Sequence, residues 1–299
     1  MITYILLKQI IIMFMLMGVG AALYKLKYIT DQGNVLLRII IPSVIIKSYI
    51  VEFTPEKFRD MWMSTGLALL GLLLAMAVSA VVYGKRKPIE NFASSYSNAG
   101  FIGIPLTQAV FGSEAVFYVA AYVTLLNLFQ WTYGVFIMTG ETENIKPKNL
   151  LTNPMLVSMV IGLVIFLFSI PVHETVVKTI GFLASMNTPV AMLVLGVFLA
   201  KADIKDIFLD YKIYPCMAMR LLVIPLITLG VFYFLPVDNT TMVMSVLIAA
   251  CTSVGGNIAI FAQQYDRNYL LAIKTVCLST ILSIVTIPLF FMAVQMLYM

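Results

Sequence analysis

Apolar runs of about 18–25 residues alternate with short polar breaks along the whole chain, at 4–24, 34–51, 62–83, 91–111, 115–139, 152–170, 176–200, 212–235, 241–264 and 268–298. A helix rises about 1.5 Å per residue, so each run matches a hydrocarbon layer roughly 30 Å thick. The pattern predicts ten transmembrane helices. Four carry breakers: Pro42 in the second, Gly100, Gly103 and Pro105 in the fourth, Pro189 in the seventh, and Gly255-Gly256 in the ninth. A break at membrane depth leaves backbone groups that lipid cannot satisfy, so it persists only where protein or a wet cavity lines it.

Composition sharpens this picture. Of 299 residues, 61% are hydrophobic and 11% charged, against roughly 25% charged in soluble domains. That excludes a water-soluble monomer, a disordered chain, a collagen-like fibre and a nucleic-acid binder. The three cysteines, Cys216, Cys251 and Cys277, lie inside apolar runs and form no disulfide or metal-ligand pattern. The N-terminal run has no basic stretch before it and is followed by Lys25 and Lys27, which reads as a retained span rather than a signal peptide.

The net charge of +5 is distributed unevenly. One set of alternate loops holds Lys25, Lys27, Lys85, Arg86, Lys87, Lys146, Lys148, Lys201, Lys205, Lys212 and Arg267, and the other only Lys57, Arg59 and Lys178. The first set is therefore expected in the cytoplasm, with both termini outside a cell membrane. The polar segment near 140–151 divides the chain into 1–150 and 151–299, five spans each. An odd number per half turns the second copy upside down, which is the arithmetic of an inverted-topology repeat. The halves also match internally: RIIIPSVII faces MNTPVAMLV in the second span of each, and SNAGFIGIPLTQAVFG faces SVGGNIAIFAQQYD in the fourth.

Interrupted segments at corresponding places in two halves point to a transporter's binding site. Asn98 and Asn257 stand at the two breaks, where an amide can cap a half-helix or meet a ligand, and the N–H groups of a restarted helix carry partial positive charge. Both can instead serve only as caps. Gly100, Gly103 and Pro105 read as the unwinding element of the fourth span, and Gly255 and Gly256 as that of the ninth, with close helix packing as the plainer alternative. No acidic residue lies well inside a span, which disfavours a cation site. Of the buried cations Lys8, Arg38, Lys47, Arg220 and Lys274, snorkelling accounts for most. Arg220, about 9 Å inside its helix, is the one retained as a candidate substrate residue. His173, the single histidine, falls in an outer loop, and no catalytic triad, phosphate loop, paired carboxylate or zinc pattern can be assembled. An enzyme or a sensor is thus disfavoured.

The run Asn98-Ala-Gly-Phe-Ile-Gly-Ile-Pro-Leu106, the later Phe261-Ala-Gln-Gln-Tyr265 and the stretch from Leu278 to Pro288 resemble the auxin efflux carrier family, in particular its bacterial malate and malonate permeases. The resemblance covers the whole chain. It implies an all-α integral membrane protein in which helices 1, 2, 6 and 7 form a dimerising scaffold, helices 3–5 and 8–10 form a moving transport domain, and the broken helices 4 and 9 cross beside the substrate. Asn98 and Pro105 match the family's first crossover, and Asn257 an asparagine of the bacterial branch. One position departs: the plant carriers have a proline in the second crossover where this chain has Ile258, so that break must rest on Gly255 and Gly256.

The reading is a secondary transporter of small organic anions, expected to be mono- or dicarboxylates, working by an elevator-type motion and assembled as a homodimer through the second and seventh spans. It needs no cofactor, its partners are the anion, membrane lipid and a second copy, and a coupling ion, H+ or Na+, is left open. The alternative is a sodium-coupled organic-anion importer of the bile-acid carrier type, for which Thr252, Ser253, Gln263 and Gln264 could supply oxygen ligands.

Overall fold

Helix boundaries follow local chemistry more than hydropathy. The third apolar run begins at 62, yet its helix starts at Pro55, because proline suits the first helical position and the Thr54 hydroxyl accepts the Lys57 N–H at 3.2 Å. Asn153 and Asn239 cap two further starts in the same way, accepting from Met155 at 2.9 Å and Met242 at 3.0 Å. The structure, a computed structural model, describes residues 2–29, 34–145, 147–202 and 204–298; Lys146 of the basic set lies outside the described residues.

Besides the short connecting helices Pro147–Leu151 and Ile204–Leu209, the helices in chain order are α1 (Ile2–Lys25), α2 (Asn34–Tyr49), α3 (Pro55–Tyr83), α4 (Pro88–Ser95), α5 (Ile104–Phe111), α6 (Ser113–Thr139), α7 (Pro154–Leu167), α8 (Glu174–Lys201), α9 (Tyr211–Tyr233), α10 (Thr240–Cys251), α11 (Asn257–Gln264) and α12 (Tyr269–Tyr298). Six of them, α1, α3, α6, α8, α9 and α12, are long and apolar enough to cross a membrane by length and composition. All ten predicted runs are helical, but the fourth and ninth are each two short helices with an extended link between them.

The prolines act differently from one another. α2 continues through Pro42 without a break, although that proline has no N–H for the Arg38 carbonyl. The interruption in α8 falls at Met186, before Pro189. Pro105 and Pro225 each follow a π-turn, Ala99–Gly103 and Met219–Val223, in the same Ile-Pro-Leu context. A proline cannot bond the carbonyl four residues back, and a π-turn redistributes the bonds around such a gap. A third π-turn, Gln130–Gly134 in α6, has no proline to explain it.

α1 lies along the second half of α8, and α2 along α7 and the first half of α8. At the first contact Gly20 and Gly196 face the opposing backbone so closely that a Cβ on either would collide with it, at the Leu193 and Met17 carbonyls respectively. α3, α6 and α10 pack together around buried Leu72, Tyr122, Val246 and Leu247. Near one end, Tyr49, Phe117 and Phe166 join α2, α6 and α7 through rings 5.3–6.5 Å apart. Exposed Ile11, Met15, Leu73, Val81, Phe182 and Leu289 clothe the outside.

Candidate functional site

The two broken segments meet at their breaks. α4 ends at Ser95 and α10 at Cys251, and the extended links that follow run antiparallel, pairing Ser97 with Val254. The Asn98 N–H donates to the Ser253 carbonyl at 2.9 Å, and the Gly255 N–H to the Tyr96 carbonyl at 3.1 Å. α12 supports the second link: Ser279 Oγ accepts the Val254 N–H at 3.0 Å, and Thr280 Oγ1 lies 3.3 Å from Ser253 Oγ. Unwound backbone deep in the protein thus finds its partners in the other break, as buried N–H and C=O groups require.

The glycines permit this approach. A Cβ on Gly255 would stand 2.9 Å from the Ser97 carbonyl oxygen, and one on Gly103 would stand 3.2 Å from Ala249 Cα. Gly103 therefore serves the packing of the restarted helix against α10, and buried Pro105 sits inside α5; neither lines the space beside the crossing.

That space is a cavity of about 330 Å³. Asn98, Gly100, Gly255, Gly256 and Asn257, all singled out from the sequence, line it, together with Arg38, Asn127, Gln130, Asn153 and Gln264 and an apolar wall that includes Phe101, Trp131 and Phe261. Arg38 is the cation among the lining residues, and among the described residues no carboxylate lines it. The π-turn leading into α5 starts just after Asn98, and α11 starts at Asn257, so the first residues of both restarting helices line this cavity at ends where the helix dipole places partial positive charge.

The two asparagines have different roles. Asn98 is 4% exposed and its Nδ2 has no hydrogen-bond partner among the described residues. Leaving a buried donor unmatched costs about 1–3 kcal/mol. Asn257 instead gives its Nδ2 to Gln130 Oε1 at 2.8 Å, which leaves Gln130 Nε2, also buried, without a partner among the described residues. From α8, Asn187 Nδ2 donates to the Gly100 carbonyl at 3.2 Å. Gln130 and Arg38 were not among the residues chosen from sequence. Gln130 is a polar residue well inside the fifth apolar run, a legible signal; Arg38 was absorbed by the snorkelling argument.

Arg220 lies outside the cavity lining. Its side chain is fully buried and donates from Nε to the Thr252 carbonyl at 3.1 Å, from Nη1 to the Ser94 carbonyl at 3.1 Å and from Nη2 to the Ala250 carbonyl. These oxygens belong to the last turns of α4 and α10 and the link beyond α10, where helix dipoles place partial negative charge and the final carbonyls lack intrahelical partners. The guanidinium closes both helix ends behind the crossing, while the restarted N-termini face the cavity in front.

The candidate sodium ligands are dispersed. Thr252 Oγ1 donates to the Ala249 carbonyl at 3.2 Å, Ser253 Oγ is engaged with Thr280, and Gln263 and Gln264 close the far end of α11.

The family described as membrane transport protein matches residues 5–291. An uncharacterized transporter of Methanothermobacter thermautotrophicus is 26% identical over 268 residues, covering 86% of this chain and 86% of that protein.

Proposed function

Starting from the fact that the chain belongs to the membrane transport protein family, that of the auxin efflux carriers, and is a membrane transporter, we propose that its cargo is a small organic anion, a mono- or dicarboxylate, held in the cavity beside the crossing. The observation that carries this is the chemistry of the lining: among the described residues it holds one arginine, several amides, two helix N-termini and no carboxylate. Fixed N–H dipoles and amide donors replace the hydration shell of a carboxylate, and a cavity without acidic groups adds no repulsion.

The rest of the reading follows from sequence arithmetic and resemblance. Ten spans form two inverted repeats, 1–150 and 151–299. α1, α2, α7 and α8 are a scaffold through which two copies dimerise, and α3–α6 with α9–α12 are the transport domain, which carries the cavity across the bilayer of the cell membrane as an elevator. Arg38, Asn153 and Gln264, beside the lysine- and arginine-rich connections, mark the cytoplasmic mouth. The bacterial malate and malonate permeases are the branch this chain resembles.

The test is a thermal-stability screen of the purified protein against acetate, lactate, malonate, malate, succinate and indole-3-acetate, beside choline and glucose, with and without sodium, followed by uptake into liposomes. A ligand that binds only the folded state raises the melting temperature by mass action. Stabilisation and saturable flux of a carboxylate are expected. Stabilisation by organic cations or neutral sugars in preference to every carboxylate would overturn the anion reading.

A further inference from the structure

We propose that Gln130 is a substrate-binding residue, and that Asn257 acts through it as a positioning residue. The proposal rests on the anion reading above and names the donor set of that site.

Gln130 opens a π-turn in the middle of α6 with no proline to cause it, and such single-turn bulges occur often at functional sites. The turn is held from the crossing itself: Tyr96, on the link between α4 and the π-turn, donates its hydroxyl to the Phe129 carbonyl at 2.8 Å. The bulge therefore takes its geometry from the broken segment and presents Gln130 to the cavity wall.

The side chain is then oriented from the other broken segment. Asn257, first residue of α11, donates Nδ2 to Gln130 Oε1. An amide whose oxygen is occupied in this way can only turn its N–H2 toward what remains, and Gln130 Nε2 has no partner among the described residues although the residue is 1% exposed. Asn98 Nδ2, in the same lining, is in the same condition. Buried polar groups are nearly always matched in folded proteins. Two unmatched donors in the wall of one cavity that no carboxylate lines among the described residues, each on or tied to a different broken segment, are matched by a single ligand with acceptor atoms on both sides, such as a carboxylate. Asn257, whose amide is already engaged, contributes orientation.

The experiment measures dissociation constants by calorimetry for the carboxylate that most stabilises the parent in the panel named above. The variants are Asn98→Ala, Gln130→Met and Gln130→Glu, each with its ligand-free melting temperature. Gln130→Met keeps the volume and removes the donor; a tenfold to hundredfold weakening, roughly the value of one buried hydrogen bond, is expected. Gln130→Glu keeps an acceptor for Asn257 Nδ2 but replaces the donor by an anionic oxygen. Its loss should exceed that of Gln130→Met at about pH 7.5 and shrink, relative to the parent, toward about pH 5 as the introduced carboxyl takes up a proton and becomes a donor. A packing role for Gln130 would not produce that pH-dependent recovery.

If Asn98→Ala weakens the anion while both Gln130 variants bind it like the parent, the crossing is the site and the Gln130 proposal is overturned alone. If no carboxylate binds the parent, the anion reading fails and takes the proposal with it; if one binds the parent and Asn98→Ala and both Gln130 variants bind it equally well, the anion sits elsewhere and the proposal is overturned. Should the Gln130 variants not fold, Asn257→Ala decides: it frees the Gln130 oxygen and is expected to weaken the anion at least tenfold, and an unchanged affinity overturns the proposal.

Discussion

The main-chain N–H of Asn98 donates to the carbonyl of Ser253 at 2.9 Å, so the break in one interrupted segment is closed by the break in the other. Neither link could exist alone at this depth, since each would leave backbone groups unpaired. The pairing makes the two restarting helices one unit, and whatever moves one N-terminus moves the other.

That contact depends on Gly255. Alanine there would set its Cβ 2.9 Å from the Ser97 oxygen, a backbone atom that cannot swing aside. Gly255→Ala should destabilise the protein by about 1–3 kcal/mol, read as a lowered melting temperature in detergent. Gly66→Ala on α3, where nothing lies within 4 Å of the new Cβ, is the comparison; it should stabilise by roughly 0.5–1 kcal/mol because alanine suits a helix better. Equal effects at the two positions would refute the close-approach account.

Arg220→Met leaves the carbonyls of Ser94, Ala250 and Thr252 without their donor. Hydrogen bonds to a charged group contribute about 1.5–3 kcal/mol each, and a loss of at least about 3 kcal/mol is expected. Lysine, with a single nitrogen in place of a fork, should recover part of it. A methionine variant as stable as the parent would show that the helix ends are satisfied by other means.

At the cavity, Asn98→Ala should lower carboxylate affinity by roughly ten- to a hundredfold, each 1.4 kcal/mol being a factor of ten, with folding retained because water can enter a wet cavity in place of the amide. Lys201→Ala, at the C-terminal end of α8, should change affinity little. If alanine at both Asn98 and Asn257 left binding and flux as in the parent, the crossing would not be the substrate site.

The Tyr49 hydroxyl is buried in an aromatic cluster and has no partner among the described residues. Tyr49→Phe removes an unmatched polar atom and preserves the ring packing, so stability should hold or rise by about 1 kcal/mol. A fall of that size, measured by thermal melting, would reveal a partner for the hydroxyl.

Orientation is checked by cysteine labelling. The native cysteines are buried, so a single cysteine at position 86 reports its own side of the membrane. It should react only when the cytoplasmic face is opened to the reagent. Modification from outside intact cells would invert the topology.

Much of this protein was legible in its order of residues. Apolar run lengths predicted the helices and family-level motifs the transporter, because lipid imposes a one-dimensional requirement that each span satisfies by itself. Asn98 and Asn257 were legible as polar residues at glycine-marked breaks. Their division of labour was not: that Asn98 keeps an unmatched donor while Asn257 gives its amide to Gln130 depends on contacts between residues 127 positions apart. Arg220 was equally ambiguous, since a cation within a span reads the same whether it faces a ligand or three carbonyls. Pro42 and Pro189 looked like breaks in sequence, and the breaks fell elsewhere or not at all. A helix interrupted by proline or glycine has several ways to re-pair its backbone, and only the neighbouring segment, brought there by tertiary packing, decides which is taken.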